Sequence, residues 1–311
     1  MYACTEDGMS QLSLAVELPG IRLRNPVLNA AGILGLSTKL LKRVYEGGAG
    51  AVVTKSIGLH QRHGHDNPTL VSVEGGVLNA MGLPNPGAEY FVDIIKELKS
   101  ESIPVVASFF GATIEEFKNV ADILSEAGVD ALELNCSCPN VAEEMGMLGA
   151  DPLNTEKVTA AVKEVAKPPV FVKLSPNVTD IGEIARAAEK GGADAITAVN
   201  TLKGMAVDID LMRPILTNVT GGLSGPALKP VALRCVYEVS NAVNIPVIGC
   251  GGIMSWRDAI EYLLCGATAV EMGTAVMTKS FDVYGAVADG IRRYLRENGF
   301  KEVKEIVGLA R

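Results

Sequence analysis

Lysine, asparagine, serine, threonine and glycine recur where the apolar runs of this 311-residue chain give way to polar residues. In order, these transitions carry Lys55, Ser108, Asn135 with Cys138 close behind, Lys173, Asn200 with Thr201, Gly251-Gly252, and Gly273-Thr274. Lysine is almost never buried without a partner, so two of them at the ends of apolar runs are unusual. A salt bridge accounts for one such lysine. Two of them, beside Asn and Thr, point to an anionic ligand. Gly249-Cys250-Gly251-Gly252-Ile253 and Met272-Gly273-Thr274-Ala275 read as a phosphate cradle, because glycine lets backbone N–H groups approach phosphate oxygens. Tight turns are the simpler alternative. No Gly-x-Gly-x-x-Gly opens a helix, so a dinucleotide site within this chain is unsupported.

Cys136-Ser137-Cys138 lacks the spacing and the second pair that a metal site needs, and Cys4, Cys235, Cys250 and Cys265 are scattered. In an extended strand Asn135 and Ser137 share one face and Cys136 takes the other. Cys136, Cys235, Cys250 and Cys265 suit buried apolar positions. Cys138 opens a loop held by Pro139 and is the better reactive thiol. His60, His63 and His65 fall in one segment whose only nearby acid is Asp66, which suits a solvated or partner-facing loop better than a metal centre. With histidine confined there, a Ser-His-Asp triad is hard to assemble.

The elements that position these residues repeat along the chain. Four apolar runs start at Pro26-Val27, Pro104-Val105, Pro169-Val170 and Pro246-Val247. Four others follow small-residue turns at Gly50-Ala51, Gly128 to Ala131, Gly192 to Ala195, and Gly266 to Ala269. The two kinds alternate, giving eight short apolar runs of the sort buried on both faces. Between them lie helical periods such as Ile114, Phe117, Val120, Ala121 and Leu124, or Ile181, Ile184, Ala185 and Ala188. Glycine before the even-numbered strands ends the preceding helix in the left-handed conformation. Eight strands alternating with helices predict an α/β fold, a (β/α)8 TIM barrel, with an open doubly wound sheet as the alternative.

Ile57 to Asn85, Pro139 to Pro152 and Leu202 to Gly222 are longer than ordinary connections. All three follow even-numbered strands, on the C-terminal face where barrel active sites lie. Residues 10 to 24 alternate apolar and polar and predict an N-terminal hairpin closing the bottom of the barrel. The absence of linker composition predicts a single domain over residues 1–311.

Net charge −8 argues against nucleic acid, and no apolar run approaches the ~20 residues of a membrane helix. The start carries Glu6 and Asp7 without an apolar stretch, unlike a signal peptide. Six cysteines in a chain this long suit reduced thiols. A soluble cytoplasmic protein is expected.

The segment Leu132-Glu133-Leu134-Asn135-Cys136-Ser137-Cys138-Pro139-Asn140-Val141 resembles the base-bearing segment of the class 1 dihydroorotate dehydrogenases. Leu78-Asn79-Ala80-Met81-Gly82-Leu83, Lys173-Leu174-Ser175-Pro176-Asn177 and Asn200-Thr201-Leu202 match in the same order. The run Leu216 to Pro230 resembles the 1B branch, whose members work with an electron-transfer subunit. The resemblance starts near Leu12 and covers essentially all that follows.

It implies FMN-dependent oxidation of dihydroorotate to orotate in pyrimidine synthesis, with Cys138 removing the C5 proton while C6 gives hydride to the flavin. It places Lys55, Asn79, Ala80, Met81, Gly82, Leu83, Asn135, Asn200 and Thr201 around the substrate. It places Ala31, Lys55, Ser56, Ser108, Asn135, Lys173, Val199, Gly225, Gly251, Gly252, Gly273 and Thr274 around FMN, with no metal. FAD and an iron–sulfur cluster are implied in a partner subunit that reduces NAD, with a homodimeric core in a heterotetramer. A fumarate-linked 1A enzyme and a flavin barrel similar to dihydropyrimidine dehydrogenases are the alternatives. Ser108 stands where relatives carry asparagine, and Val141 to Gly146 lacks their glycine pair.

Overall fold

The structure is a computed structural model that describes residues 12–136 and 148–311. β1 (Val16–Leu18) and β2 (Ile21–Leu23) each bury their outer residues and expose the middle one, as the alternation predicts. They pair antiparallel about Gly20, where φ is 71°. A Cβ on Gly20 would come within 2.5 Å of Pro169, just before a barrel strand, so the hairpin covers the N-terminal end of the barrel.

The next strands are β3 (Val27–Asn29), β4 (Val52–Val53), β5 (Leu70–Val73), β6 (Gly76–Asn79) and β7 (Val105–Phe109). β8 (Ala131–Asn135), β9 (Val170–Leu174), β10 (Ala195–Ala198), β11 (Leu202–Gly204) and β12 (Val207–Asp208) follow. β13 (Arg213–Pro214), β14 (Gly221–Ser224), β15 (Val247–Cys250) and β16 (Ala267–Met272) complete them. β7, β8 and β9 are buried at every position, as strands covered on both faces must be.

The helices between the barrel strands include α1 (Thr38–Glu46), α2 (Ala88–Ser100), α3 (Ile114–Glu126), α4 (Pro152–Val165), α5 (Ile181–Lys190) and α6 (Lys229–Ala242). α7 (Trp256–Leu264), α8 (Ala275–Lys279) and α9 (Val283–Glu297) end the series. Ser37, Thr113, Asp151, Asp180 and Ser255 cap α1, α3, α4, α5 and α7, each side chain accepting a first-turn N–H. Gly48, Gly128, Gly192 and Gly266 take positive φ just before the even-numbered barrel strands. Among the described residues no helix is long and apolar enough to cross a membrane.

Eight parallel strands run in the order β3-β16-β15-β10-β9-β8-β7-β4. The two ends of that order meet. Leu28 bridges Ala51, and Gly50 N–H donates to the Val27 carbonyl at 2.7 Å. The Asn29 amide supplies what the short ladder lacks: Oδ1 accepts from Val53 N–H at 2.8 Å, and Nδ2 donates to the Val53 carbonyl at 2.7 Å. This closure makes a barrel rather than an open sheet.

Two of the three long segments pair with each other. β5 and β6, from the segment after β4, join β11 and β14, from the segment after β10, in an antiparallel sheet of order β11-β14-β6-β5. Most of the third segment, Pro139 to Pro152, lies outside the described residues.

Asn29→Ala removes both bonds and strands a buried donor and acceptor, each worth about 1–3 kcal/mol. We expect a loss of roughly 2–5 kcal/mol in urea unfolding. A change below about 0.5 kcal/mol would mean that the backbone bridges close the barrel unaided.

Candidate active site

At the C-terminal ends of the barrel strands a chain of hydrogen bonds crosses three elements. Asn135 Nδ2, at the end of β8, donates to Ser56 Oγ at 3.1 Å, and Ser56 Oγ lies 3.0 Å from Ser108 Oγ on β7. Ser108 N–H is fixed by Thr54 Oγ1 at 3.0 Å. All four are buried. Lys55 is buried beside them, with its Nζ 3.3 Å from the Gly32 carbonyl, next to Ala31. Burial alone lowers its pKa, because no carboxylate offsets the lost hydration.

Lys173 pairs in register with Asn135 on one side and Thr197 on the other, so all three face the barrel interior. Its Nζ donates to Glu271 Oε2 at 2.6 Å and lies 3.7 Å from Glu133 Oε2. Burial pulls its pKa down, but the Glu133 and Glu271 carboxyls outweigh this and hold it above the usual lysine value. For Glu271, burial and the neighbouring Glu133 carboxyl together outweigh Lys173 and push the pKa up. Thus Lys173 meets the salt-bridge alternative, while Lys55 has no salt bridge among the described residues.

The glycine turns after β15 and β16 meet the turn that precedes α6. A Cβ on Gly252 would lie 2.7 Å from the Gly225 carbonyl oxygen, and one on Gly225 would be 3.5 Å from Thr274 Cγ2. Gly225, Gly251 and Gly252 have φ of 97°, 132° and 67°. Thr274 Oγ1 donates to Ser224 Oγ at 3.1 Å, and the Tyr262 hydroxyl donates to the Gly251 carbonyl. A side chain at Gly252 would collide with the Gly225 carbonyl and the Lys229 N–H, so only glycine lets the two turns approach this closely. Gly273 and Thr274 follow β16, and Val199 follows β10, its N–H on the Cys250 carbonyl.

The loop sheet gathers the remaining positions. Asn79 Nδ2 donates to the Gly222 carbonyl, and a Cβ on Gly222 would collide with Thr201 Oγ1. Asn79 and Thr201, 122 positions apart in the chain, therefore share one strand crossing. Asn200 Oδ1 accepts from Thr201 N–H, and its own N–H is held by Leu174. Ala80 and Met81 are tied by their carbonyls to His65, while Gly82 and Leu83 turn through positive φ.

Cys138 lies outside the described residues. Cys136, Cys235 and Cys250 are buried as expected, with burial pushing Cys136 and Cys250 up to about 12. Two corrections apply: Cys265 is only half-buried, and Cys250 faces the charged groups of the barrel rather than an apolar niche.

Glu133, Glu271, Thr197 and Ser224 are site residues that the sequence reading missed. For the two glutamates a signal existed: Leu132-Glu133-Leu134 and Val270-Glu271-Met272 put an acid inside strands buried on both faces.

A family model described as dihydroorotate dehydrogenase matches residues 13–295. The chain belongs to the dihydroorotate dehydrogenase family. It is 51% identical over 300 residues to the dihydroorotate dehydrogenase B (NAD(+)) catalytic subunit of Pyrococcus furiosus, covering 96% of this chain and 99% of that one. The protein of the same name from Methanosarcina mazei is 49% identical, covering 97% of each chain. That of Methanothermobacter thermautotrophicus is 48% identical, covering 96% and 98%. Dihydroorotate dehydrogenases work with a flavin, and the residues here fit one: glycine turns whose backbones pack too closely for side chains, two buried ammonium groups and the buried Thr197 hydroxyl, which has no hydrogen-bond partner among the described residues.

Lys173→Met leaves Glu133 and Glu271 buried without their cation. Breaking a buried pair costs roughly 3–5 kcal/mol. Because Glu271 is shifted upward, protonation relieves that cost at low pH, and the penalty grows as pH rises. Thermal unfolding of wild type and variant should diverge from acid to alkaline pH; parallel curves would contradict the ion pairing.

Proposed function

We propose that this chain is the FMN-bearing catalytic subunit of an NAD-linked dihydroorotate dehydrogenase, a single barrel domain working in the cytoplasm. The observation that carries this reading is the convergence of Lys55, Lys173 and the Ser56–Ser108–Asn135 chain in one buried layer at the mouth of the barrel. Lys55, with a lowered pKa and no carboxylate partner among the described residues, is an ammonium suited to an anionic substrate. Asn79, Asn135 and Asn200 offer amide donors and acceptors, matching a pyrimidine ring whose edge alternates N–H and C=O. Ala80 to Leu83 line the substrate from the loop sheet, and Thr201 is fixed beside Gly222.

Lys173 is held ready to stabilise negative charge on the cofactor, and the cradle of Gly225, Gly251, Gly252, Gly273 and Thr274 takes its phosphate. Ala31, Ser56, Ser108 and Val199 complete that lining. FMN, when bound, supplies two-electron uptake and onward delivery of electrons. Cys138 acts as base toward the substrate carbon that loses its proton. An unperturbed thiol of pKa ~8.5 is mostly protonated at neutral pH, so activity rises with pH.

The relatives are named NAD(+)-linked catalytic subunits, which favours a partner subunit over the fumarate-linked alternative. We assign FAD and an iron–sulfur cluster to that partner and a homodimeric core to the assembly. The purified chain should be yellow, should reduce dyes with dihydroorotate, and should reduce NAD only when the partner is added. Rapid NAD reduction by the isolated chain would defeat the two-subunit reading, and rapid turnover with fumarate would favour the 1A alternative.

Cys138→Ala should retain FMN yet lose flavin reduction by dihydroorotate by ~10²–10⁴-fold, the contribution of a positioned base. Cys138→Ser should fall between and recover at high pH. Stopped-flow bleaching of the flavin measures this, and undiminished bleaching in the alanine variant would remove Cys138 from the role.

A further inference from the structure

The charge inside the barrel does not balance. Glu133 on β8, Lys173 on β9 and Glu271 on β16 are 0%, 4% and 2% exposed. One ammonium faces two carboxyls, at 2.6 Å and 3.7 Å. Among the described residues, the groups around them bring no second cation. Cys250 on β15 stays a neutral thiol, because burial pushes it up to about 12. Thr197 on β10, Ser108 on β7 and Asn135 on β8 are uncharged, and Lys55 after β4 turns its Nζ to the Gly32 carbonyl.

With both carboxyls ionised, a net negative charge would be shut away from water, which is strongly unfavourable. Two carboxyls crowded into one dry site avoid this by keeping a proton. The hydrogen bonding points the same way. Neither Glu133 oxygen has a hydrogen-bond donor among the described residues, and both carboxyls converge on the one Lys173 ammonium, Glu133 at 3.7 Å and Glu271 at 2.6 Å. A proton carried by Glu271 is the donor that Glu133 lacks.

We propose that Glu133 and Glu271 hold one proton between them beside Lys173, as a positioning pair that sets how much positive charge Lys173 presents to the flavin. The consequence for the flavin rests on the function proposed above; the shared proton is a property of this chain alone. With the proton in place, the three groups sum to zero charge. When it leaves at high pH they sum to −1, and a nearby flavin gains negative charge less readily. The flavin's reduction potential therefore falls more steeply with pH than flavin protonation alone requires. Glu271→Gln imitates the protonated carboxyl permanently and abolishes the extra slope.

Infrared spectroscopy of the purified protein in light and heavy water tests the proton directly. Wild type at neutral pH should show a buried carboxylic-acid C=O band that is lost at alkaline pH. Both Glu271→Gln and Glu133→Gln should lose the band, since either substitution leaves Lys173 with one carboxylate and nothing to share. Absence of the band in wild type, or its survival in either variant, overturns the proposal. Potentiometric titration of the bound flavin then reads the coupling. A steeper fall with pH in wild type than in Glu271→Gln is expected, and equal slopes would overturn the link through Lys173. A colourless protein would count against the flavin reading alone, because the infrared band is read without a flavin.

Discussion

A closed barrel of eight parallel strands has no room for solvent around the side chains that fill it, so every charge placed inside must find its counter-charge there. Lys173 is the group on which this constraint falls hardest. Its partners come from strands on both sides, Glu133 from the neighbouring β8 and Glu271 from β16, 98 positions along the chain. The ion pair needs the barrel to be closed, and the closed barrel needs the ion pair to keep its ammonium tolerable. The cation is thereby fixed within the polar layer at the strand ends, where Asn135, Ser56 and Ser108 already bind one another.

Closure itself depends on an economy of backbone. β3 and β4 are only three and two residues long, too short for a full ladder between them. The Asn29 side chain stands in for the missing backbone pair and satisfies Val53 at both its N–H and its C=O. Just beyond β4 the chain turns straight into Lys55 and Ser56, so the same join that closes the barrel sets the first rim lysine.

Above this layer the loops are organised, not merely long. The segments after β4 and β10 would each leave unpaired strand edges by themselves, which is unfavourable for exposed backbone. Pairing β6 with β14 covers one edge of each segment, leaving only β11 and β5 at the margins, and brings Asn79 to Thr201 through Gly222. The glycine at that crossing is obligatory, because a Cβ would occupy the place of the Thr201 hydroxyl. The two segments thus make a wall on the C-terminal face, the end of the barrel at which Lys55, Asn135 and Lys173 lie.

Much of this was legible in one dimension. Strands buried on both faces are near-continuous apolar runs, and their helices keep a 3.6-residue period, so eight repeats, their order and the rim residues Lys55, Ser108, Asn135, Lys173 and Gly251-Gly252 could be read without coordinates. What lay beyond reach was adjacency across the barrel and between loops. The pairing of β6 with β14, the stand-in role of Asn29, and the meeting of Glu133, Lys173 and Glu271 join residues far apart in the chain. A local pattern records which face a residue turns inward. Only closure decides which inward-facing residues meet, because the distance between them is set by the circumference of the barrel and not by their separation along the chain.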